Sequence, residues 1–444
     1  MMKSTMGRRK ETSNIGLFLI ILYMFFEYVR PQSFIAGLAP LHIPMIVQSI
    51  IILSLFSCDF ERFKKRETVY FFLLLCLMAA HVPFATNNYW AYQITRSMTL
   101  QFVVFLAIIG HLHTFHKLGL VLTLWIAVAI LCSIAGIAQG GRIPESGFLG
   151  DENDFALFLN MMIPLAFFSG QAARSKRAKL FYYSGVAVLI LGTVSSMSRG
   201  GFLGMLPPLL YCWWKTDSKL KTGIAAALVG SLLVVSFIPD KYWTEMSTIQ
   251  EEGLNVGTGS QRAYLWRRGF EMFQDHPLIG VGPGNFNWNL RYYEPPDGFA
   301  GRSHAGRPSH SIYFTMLPEL GMMGTFLILG LTWVSQMESR RLNKTIRKRL
   351  PPDKKDEETG RLEAFGFGFT GAVLAYLVSG AFLSVLYYGH FWLIIGFTVA
   401  TNRLLKERLH QLADETESPK RAYHESSDNR WQYARRIGNH PFAR

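Results

Sequence analysis

Arg262, Arg267, Arg268, His304, Arg291, Arg302 and Arg307 all fall in one hydrophilic stretch, Pro239 to Ser309, and His310 follows directly. Guanidinium groups bind phosphates through charge-assisted, often bidentate, hydrogen bonds. An imidazole that titrates near neutral pH can take a proton from a hydroxyl. Together these residue types suit a reaction on an anionic, lipid-linked substrate, with a diphosphate as the favoured anion.

One helix is expected in this stretch, capped by Ser260 and ended by Asp275-His276-Pro277. Trp266, Phe270 and Phe273 recur at helical spacing and form an apolar stripe. Arg262 lies one turn before Trp266 and shares that stripe. An arginine on a buried stripe is costly unless it meets an anion. The bland alternative is an arginine that snorkels to lipid phosphate. Arg262 therefore ranks above Arg267 and Arg268. Pro277 to Asn285 carries Gly280, Gly282 and Gly284 at alternate positions. That segment reads as a tight turn, because no strand–turn–helix context makes it a nucleotide fingerprint.

Arg302, His304 and Arg307 then lead to His310 and Tyr313 at the head of an apolar segment. His310 beside a basic loop is a candidate general base; its bland alternative is an interfacial hydrogen-bonding residue. His304 and His310 have no carboxylate close in sequence, so no metal site is expected. Outside the stretch, Ser195 to Gly201 reads as a tight turn that holds Arg199 almost within the membrane. Gly150-Asp151-Glu152-Asn153-Asp154 opens another apolar segment and reads as a helix cap. Arg30, Arg96 and Arg142 are rim charges without a specific role.

The elements that position these groups are membrane helices. Half of the 444 residues are hydrophobic and 17% are charged. About 20 apolar residues cross a hydrocarbon core of roughly 30 Å, and about twelve such spans are read here. Their limits are 14–30, 37–57, 68–85, 97–112, 117–138, 154–170, 180–197, 200–214, 222–238, 310–336, 364–388 and 390–404. Pro207-Pro208 is expected to kink or break the 200–214 span. The expected fold class is an all-α polytopic membrane protein with one large outer loop bearing short helices. Its parts are an N-terminal bundle (1–238), the loop (239–309), C-terminal spans (310–404) and a polar tail (405–444) expected to be disordered.

Lys and Arg collect in every second loop, including Arg62 to Arg66, Arg174 to Lys179, Lys215 to Lys221 and Arg340 to Arg361. The positive-inside rule puts that set, and both termini, in the cytoplasm. The 239–309 loop then faces outward, which is the periplasm of a Gram-negative cell. Arg340 to Arg361 reads as a solvated cytoplasmic linker. The basic start and the first apolar run read as a retained anchor, with no small-residue cleavage site. The four cysteines are scattered and form no C-x-x-C pair, which argues against a zinc site or a disulfide framework. The net charge of +14 sits in short loops, which argues against nucleic acid as a partner.

Ser260-Gln-Arg262-x-x-x-Trp266 and Asp275-His-Pro277-Leu-Ile-Gly280-Val-Gly282-x-Gly284-Asn285 resemble the outer-loop signature of the O-antigen ligase and polymerase superfamily. His310-Ser-x-Tyr313 with Glu319-x-Gly321-x-x-Gly324, and the turn Ser198-Arg199-Gly200-Gly201, resemble further parts of it. The resemblance covers roughly residues 190–330. It implies an inverting glycosyltransferase of the GT-C type in the inner membrane. The implied donor is a glycan on undecaprenyl diphosphate, and the implied acceptor is a lipid A-core sugar. Arg199 and Arg262 would hold the diphosphate and His310 would stand near the acceptor hydroxyl. Trp266, Arg267, Arg302, His304, Arg307 and Tyr313 would contact substrate. No cofactor is implied, and the partners would be the two substrates and membrane lipids. Phe26 to Gln32 also resembles a branch known as O-glycosylation ligases, for which the acceptor would be a protein.

Overall fold

The computed structural model describes residues 14–35, 37–144, 146–216, 218–220, 223–224, 258–350 and 355–412. In lipid the backbone must satisfy its own hydrogen bonds, which favours helices. Among the described residues the protein is helical, and its one extended pairing is an isolated bridge between Phe299 and Arg302. The helices are α1 (Ile15–Tyr28), α2 (Ile43–Leu55), α3 (Arg66–His81), α4 (Asn88–His111) and α5 (Phe115–Ala138). Then come α6 (Glu152–Ala172), α7 (Lys176–Ser195), α8 (Arg199–Lys215), α9 (Thr258–Asp275) and α10 (Phe286–Tyr293). The last are α11 (Tyr313–Arg349), α12 (Glu357–Ser379) and α13 (389–412).

Among the described residues, eight helices are long and apolar enough to cross a bilayer: α1 with the turn after it, α3, α4, α5, α6, α7, α11 and α12. The segment Ala39–Leu55 is apolar but shorter. Apart from 223–224, the expected span at 222–238 lies outside the described residues, as do the outer residues 239–257. So do residues 1–13 and the tail from 413. Polar side chains set the helix starts. Asn87, Thr114, Asp151, Ser175 and Ser198 each accept a backbone N–H from the first turn of α4, α5, α6, α7 and α8.

α6 is the most buried of the candidate spans and is surrounded by α7, α8 and α12. Small residues allow the close approach. A Cβ on Gly201 of α8 would lie 2.4 Å from Ala156 of α6. Loops gather at two ends. At one end Asn87 bonds Asn285, Ile312 bonds Gly380 and Arg142 pairs with Glu152. Exposed Phe84, Tyr89, Trp90, Trp288 and Tyr292 ring that end, as aromatics do at a membrane interface. At the other end Arg174 pairs with Glu357, Arg408 with Asp356, and Arg347 and Lys355 with the buried Glu363.

The structure corrects four local expectations. α8 runs without interruption through Pro207-Pro208. The expected linker 340–361 is helical as far as Arg349, and α12 resumes at Glu357. Past a break at Gly321, residues 322–349 of α11 alone would span about 42 Å, beyond a hydrocarbon core of about 30 Å. The tail expected from 405 begins as helix, because Leu405 and Leu409 still pack in the core. In α9, Ser260 lies inside the first turn rather than ahead of it, and Phe270 is exposed. The buried face of α9 is Leu265 and Met272, which pack on Phe286 and Leu290 of α10.

Candidate active site

The glycine-rich turn locks the outer loop into a break in α11. Gly321 has φ 61 and ψ −165 inside that helix, so the hydrogen-bond ladder opens there. The freed groups are used by the turn: Val281 and Gly282 donate to the carbonyls of Pro318 and Glu319, and Met322 and Met323 donate to those of Pro277 and Leu278. Gly280 has φ 78, and a Cβ there would lie 2.4 Å from the Glu319 backbone. Only glycine fits. The buried Glu319 carboxylate then accepts from Gly284 N at 2.7 Å, Phe286 N at 3.0 Å and the Tyr387 hydroxyl at 2.6 Å. One side chain thus ties the turn, α10 and the loop between α12 and α13 to α11.

On this frame α9 carries Arg262 beside Arg199 at the start of α8. The Arg262 guanidinium is 5.9 Å from the centre of the Phe382 ring, and a Cβ on Gly200 would lie 3.6 Å from that of the same phenylalanine. Burial, and then the neighbouring Arg199 charge, lower the Arg262 pKa. Among the described residues no carboxylate is in ion-pair range of Arg262. Two adjacent guanidiniums repel one another unless an anion lies between them. A pair of this kind has the chemistry to receive an anion.

His310 completes the cluster. Its φ is 53, which is uncommon for a residue with a side chain. Its N–H donates to Ser384 Oγ at 2.9 Å. On either side, Ser309 Oγ bonds Thr315 Oγ1 at 2.8 Å and Ile312 N bonds Gly380 O at 2.8 Å. Burial lowers the His310 pKa, Arg262 and Arg307 lower it further, and Asp151 opposes them. The ring therefore favours its neutral form, which is the form that accepts a proton. Asp151 caps α6 through Asn153 and Asp154, and Asn153 in turn accepts from Ser198 Oγ at 2.7 Å. The turn before Arg199 is thereby fixed to α6.

The remaining sequence candidates divide. Arg307 is exposed, and its charge reaches His310. Trp266 stacks on Phe314 at 5.1 Å and donates to Ser309 O at 3.0 Å, so it holds α9 against the His310 segment. Tyr313 donates to Leu377 O at 2.9 Å and anchors α11 on α12. Arg267 points away and pairs with Glu271 at 3.5 Å. Arg302 is exposed, in a hairpin-like turn with Phe299. His304 is buried against Tyr264 and Phe299, and its N–H donates to Glu294. The structure brings Arg199, Arg262, His310 and Arg307 together, and it places Arg267, Arg302 and His304 in other contacts.

Sequence reasoning passed over Ser384 and Tyr387, and took Glu319 only as a motif letter and Asp151 only as a cap. Ser384 and Tyr387 stand in an apolar stretch with no motif to mark them. Glu319 carried a signal, being a lone acid within an otherwise apolar segment.

Residues 184–329 match the family model described as O-antigen ligase. Over that region, about a third of the chain, the protein is similar to the O-antigen ligase family. The matched region begins in α7 and ends in α11. It contains Arg199, Arg262, His310 and Glu319, so the region of similarity includes the cluster built above. No curated protein matches the chain.

Proposed function

We propose that the protein is an O-antigen ligase: it transfers a glycan from undecaprenyl diphosphate to a lipid A-core sugar. The observation that carries this reading is the neighbouring Arg199 and Arg262 facing His310, inside the region similar to that family. In this reading the fold is of the GT-C type with about twelve spans. Both termini are cytoplasmic, because the loops rich in Lys and Arg lie at the end opposite the site. The site is then periplasmic, in the inner membrane of a Gram-negative cell.

The two guanidiniums hold the diphosphate. Negative charge grows on the phosphate oxygen as the anomeric C–O bond breaks, and fixed cations stabilise it. The acceptor hydroxyl attacks the anomeric carbon from the opposite face. Its proton passes to the imidazole of His310, and undecaprenyl diphosphate departs with the bonding electrons. Configuration at that carbon inverts. Because arginines neutralise the phosphates, this chemistry requires no divalent metal. α9 covers the donor and limits access of water.

The test uses purified protein with undecaprenyl-diphosphate-linked glycan, in one arm with lipid A-core and in another alone. Glycan joined to lipid A-core supports the ligase. Longer donor chains in the second arm would make the protein a polymerase, which uses the same donor twice. A product only when a protein acceptor is added would make it a protein O-oligosaccharyltransferase. Donor moved across a vesicle membrane without any new glycosidic bond would replace the enzyme by a transporter.

A further inference from the structure

Arg96 belongs to none of the machinery above, and its surroundings are specific. It sits on α4, about 12 Å along the axis from the helix start at Asn88. Its side chain is exposed, and its hydrogen-bond partners are Gln93 Oε1 at 3.4 Å and the Met45 sulfur. Among the described residues no carboxylate pairs with it. Beside it lies a groove of about 490 Å³ between the end of α3 and α4. Ala79, Val82, Pro83, Tyr92 and Leu100 line it with Thr95 and Thr99. Both threonine hydroxyls are already bonded to carbonyls of α4, at 2.8 and 2.9 Å. The groove wall is therefore apolar in effect, with one cation at its edge.

The surfaces on either side are lipid-facing. Ile46, Ile50 and Leu53 of α2 and Val69, Phe72 and Leu73 of α3 are all exposed. Tyr89, Trp90 and Phe84 mark the membrane interface just above. A lone arginine on such a face is costly unless a phosphate at the headgroup level meets it.

We propose that this groove binds an anionic phospholipid. Its phosphate sits on Arg96 and one acyl chain lies along Thr99, Leu100 and Ala79. Charge complementarity selects a phosphate-headed lipid, and the depth of Arg96 matches a headgroup with its chains running inward. The site is separate from Arg199, Arg262 and His310, so it stands or falls independently of the transferase reading.

The experiment is native mass spectrometry of the full-length protein in detergent. It is titrated with phosphatidylglycerol and, in parallel, with a diacylglycerol of the same chains. The wild type should retain phosphatidylglycerol first and diacylglycerol poorly. Arg96→Gln should weaken that first binding about fivefold, the worth of about one cation at a lipid surface. Arg96→Lys should restore most of it. Leu100→Trp, which fills the groove and leaves the charge, should also lose the lipid. Unchanged retention by Arg96→Gln, or equal retention of the two lipids by the wild type, would overturn the proposal. Glycan transfer is not the readout, so failure here leaves the proposed reaction untouched.

Discussion

The His310 N–H donates to the Ser384 hydroxyl at 2.9 Å while His310 holds a φ of 53. A residue with a Cβ costs about 1–2 kcal/mol in that left-handed conformation, and it persists only where the surroundings fix it. Ser384 supplies one of those restraints from a loop more than seventy residues away in sequence. That backbone places His310 where the charges of Arg262 and Arg307 reach its ring.

Ser384→Ala removes this restraint without touching the imidazole. The expected result is a fall in kcat of about tenfold with KM little changed, since a small misplacement of the base is enough. Ser384→Thr keeps the hydroxyl and should recover most of the rate. Steady-state kinetics checks both. A KM effect alone would mean that Ser384 serves substrate binding instead.

The charges around His310 set a pH dependence. If His310 is the proposed base it acts when neutral, so activity should fall as pH drops through its folded pKa. Burial, Arg262 and Arg307 hold that pKa below the ordinary 6.5, so the acid limb of kcat/KM should lie below the usual imidazole range. Removing a cation raises the pKa. Arg262→Gln should therefore lower the plateau and also move the acid limb to higher pH. Asp151 works in the other direction. Asp151→Asn retains a capping side chain for α6 and should move the limb to lower pH. pH–rate profiles of the variants measure these positions, and identical limbs would separate His310 from the titration.

Glu319 gives a stability prediction. Glu319→Ala leaves Gly284 N, Phe286 N and the Tyr387 hydroxyl without their buried acceptor. Each unpaired group costs about 1–3 kcal/mol, so the loss should exceed about 2 kcal/mol. Tyr387→Phe removes one of the three bonds and should cost about 1 kcal/mol. Unfolding of the purified variants in detergent orders them: wild type, Tyr387→Phe, Glu319→Ala. An unchanged Glu319→Ala would mean that the turn is held by its backbone bonds alone.

Much of this was legible in the sequence, because a bilayer imposes long apolar runs and a charge bias on loops. Arg199 and Arg262 stood out as charges where charges are costly, and His310 as a titrating group beside them. The glycines of 280–284 announced a turn but not its partner, since nothing local says that the turn fills a break in α11. Ser384 and Tyr387 were invisible because their roles depend on tertiary contacts. Helix propensity and ion pairing extended α11 to Arg349, where a dense run of basic residues looked like a linker. Phe270 misled because amphipathic spacing marks a face without saying whether lipid or protein covers it. Its neighbours Leu265 and Met272 meet α10 instead.

The most direct measurement compares His310→Ala and Arg262→Ala in two assays on purified protein. One assay is glycan transfer to lipid A-core in the presence of a chelator. The other is retention of the undecaprenyl-diphosphate-linked donor. His310→Ala should bind donor without transferring it, whereas Arg262→Ala should lose both. Normal transfer by His310→Ala, with Arg262→Ala still binding donor, would contradict these assignments.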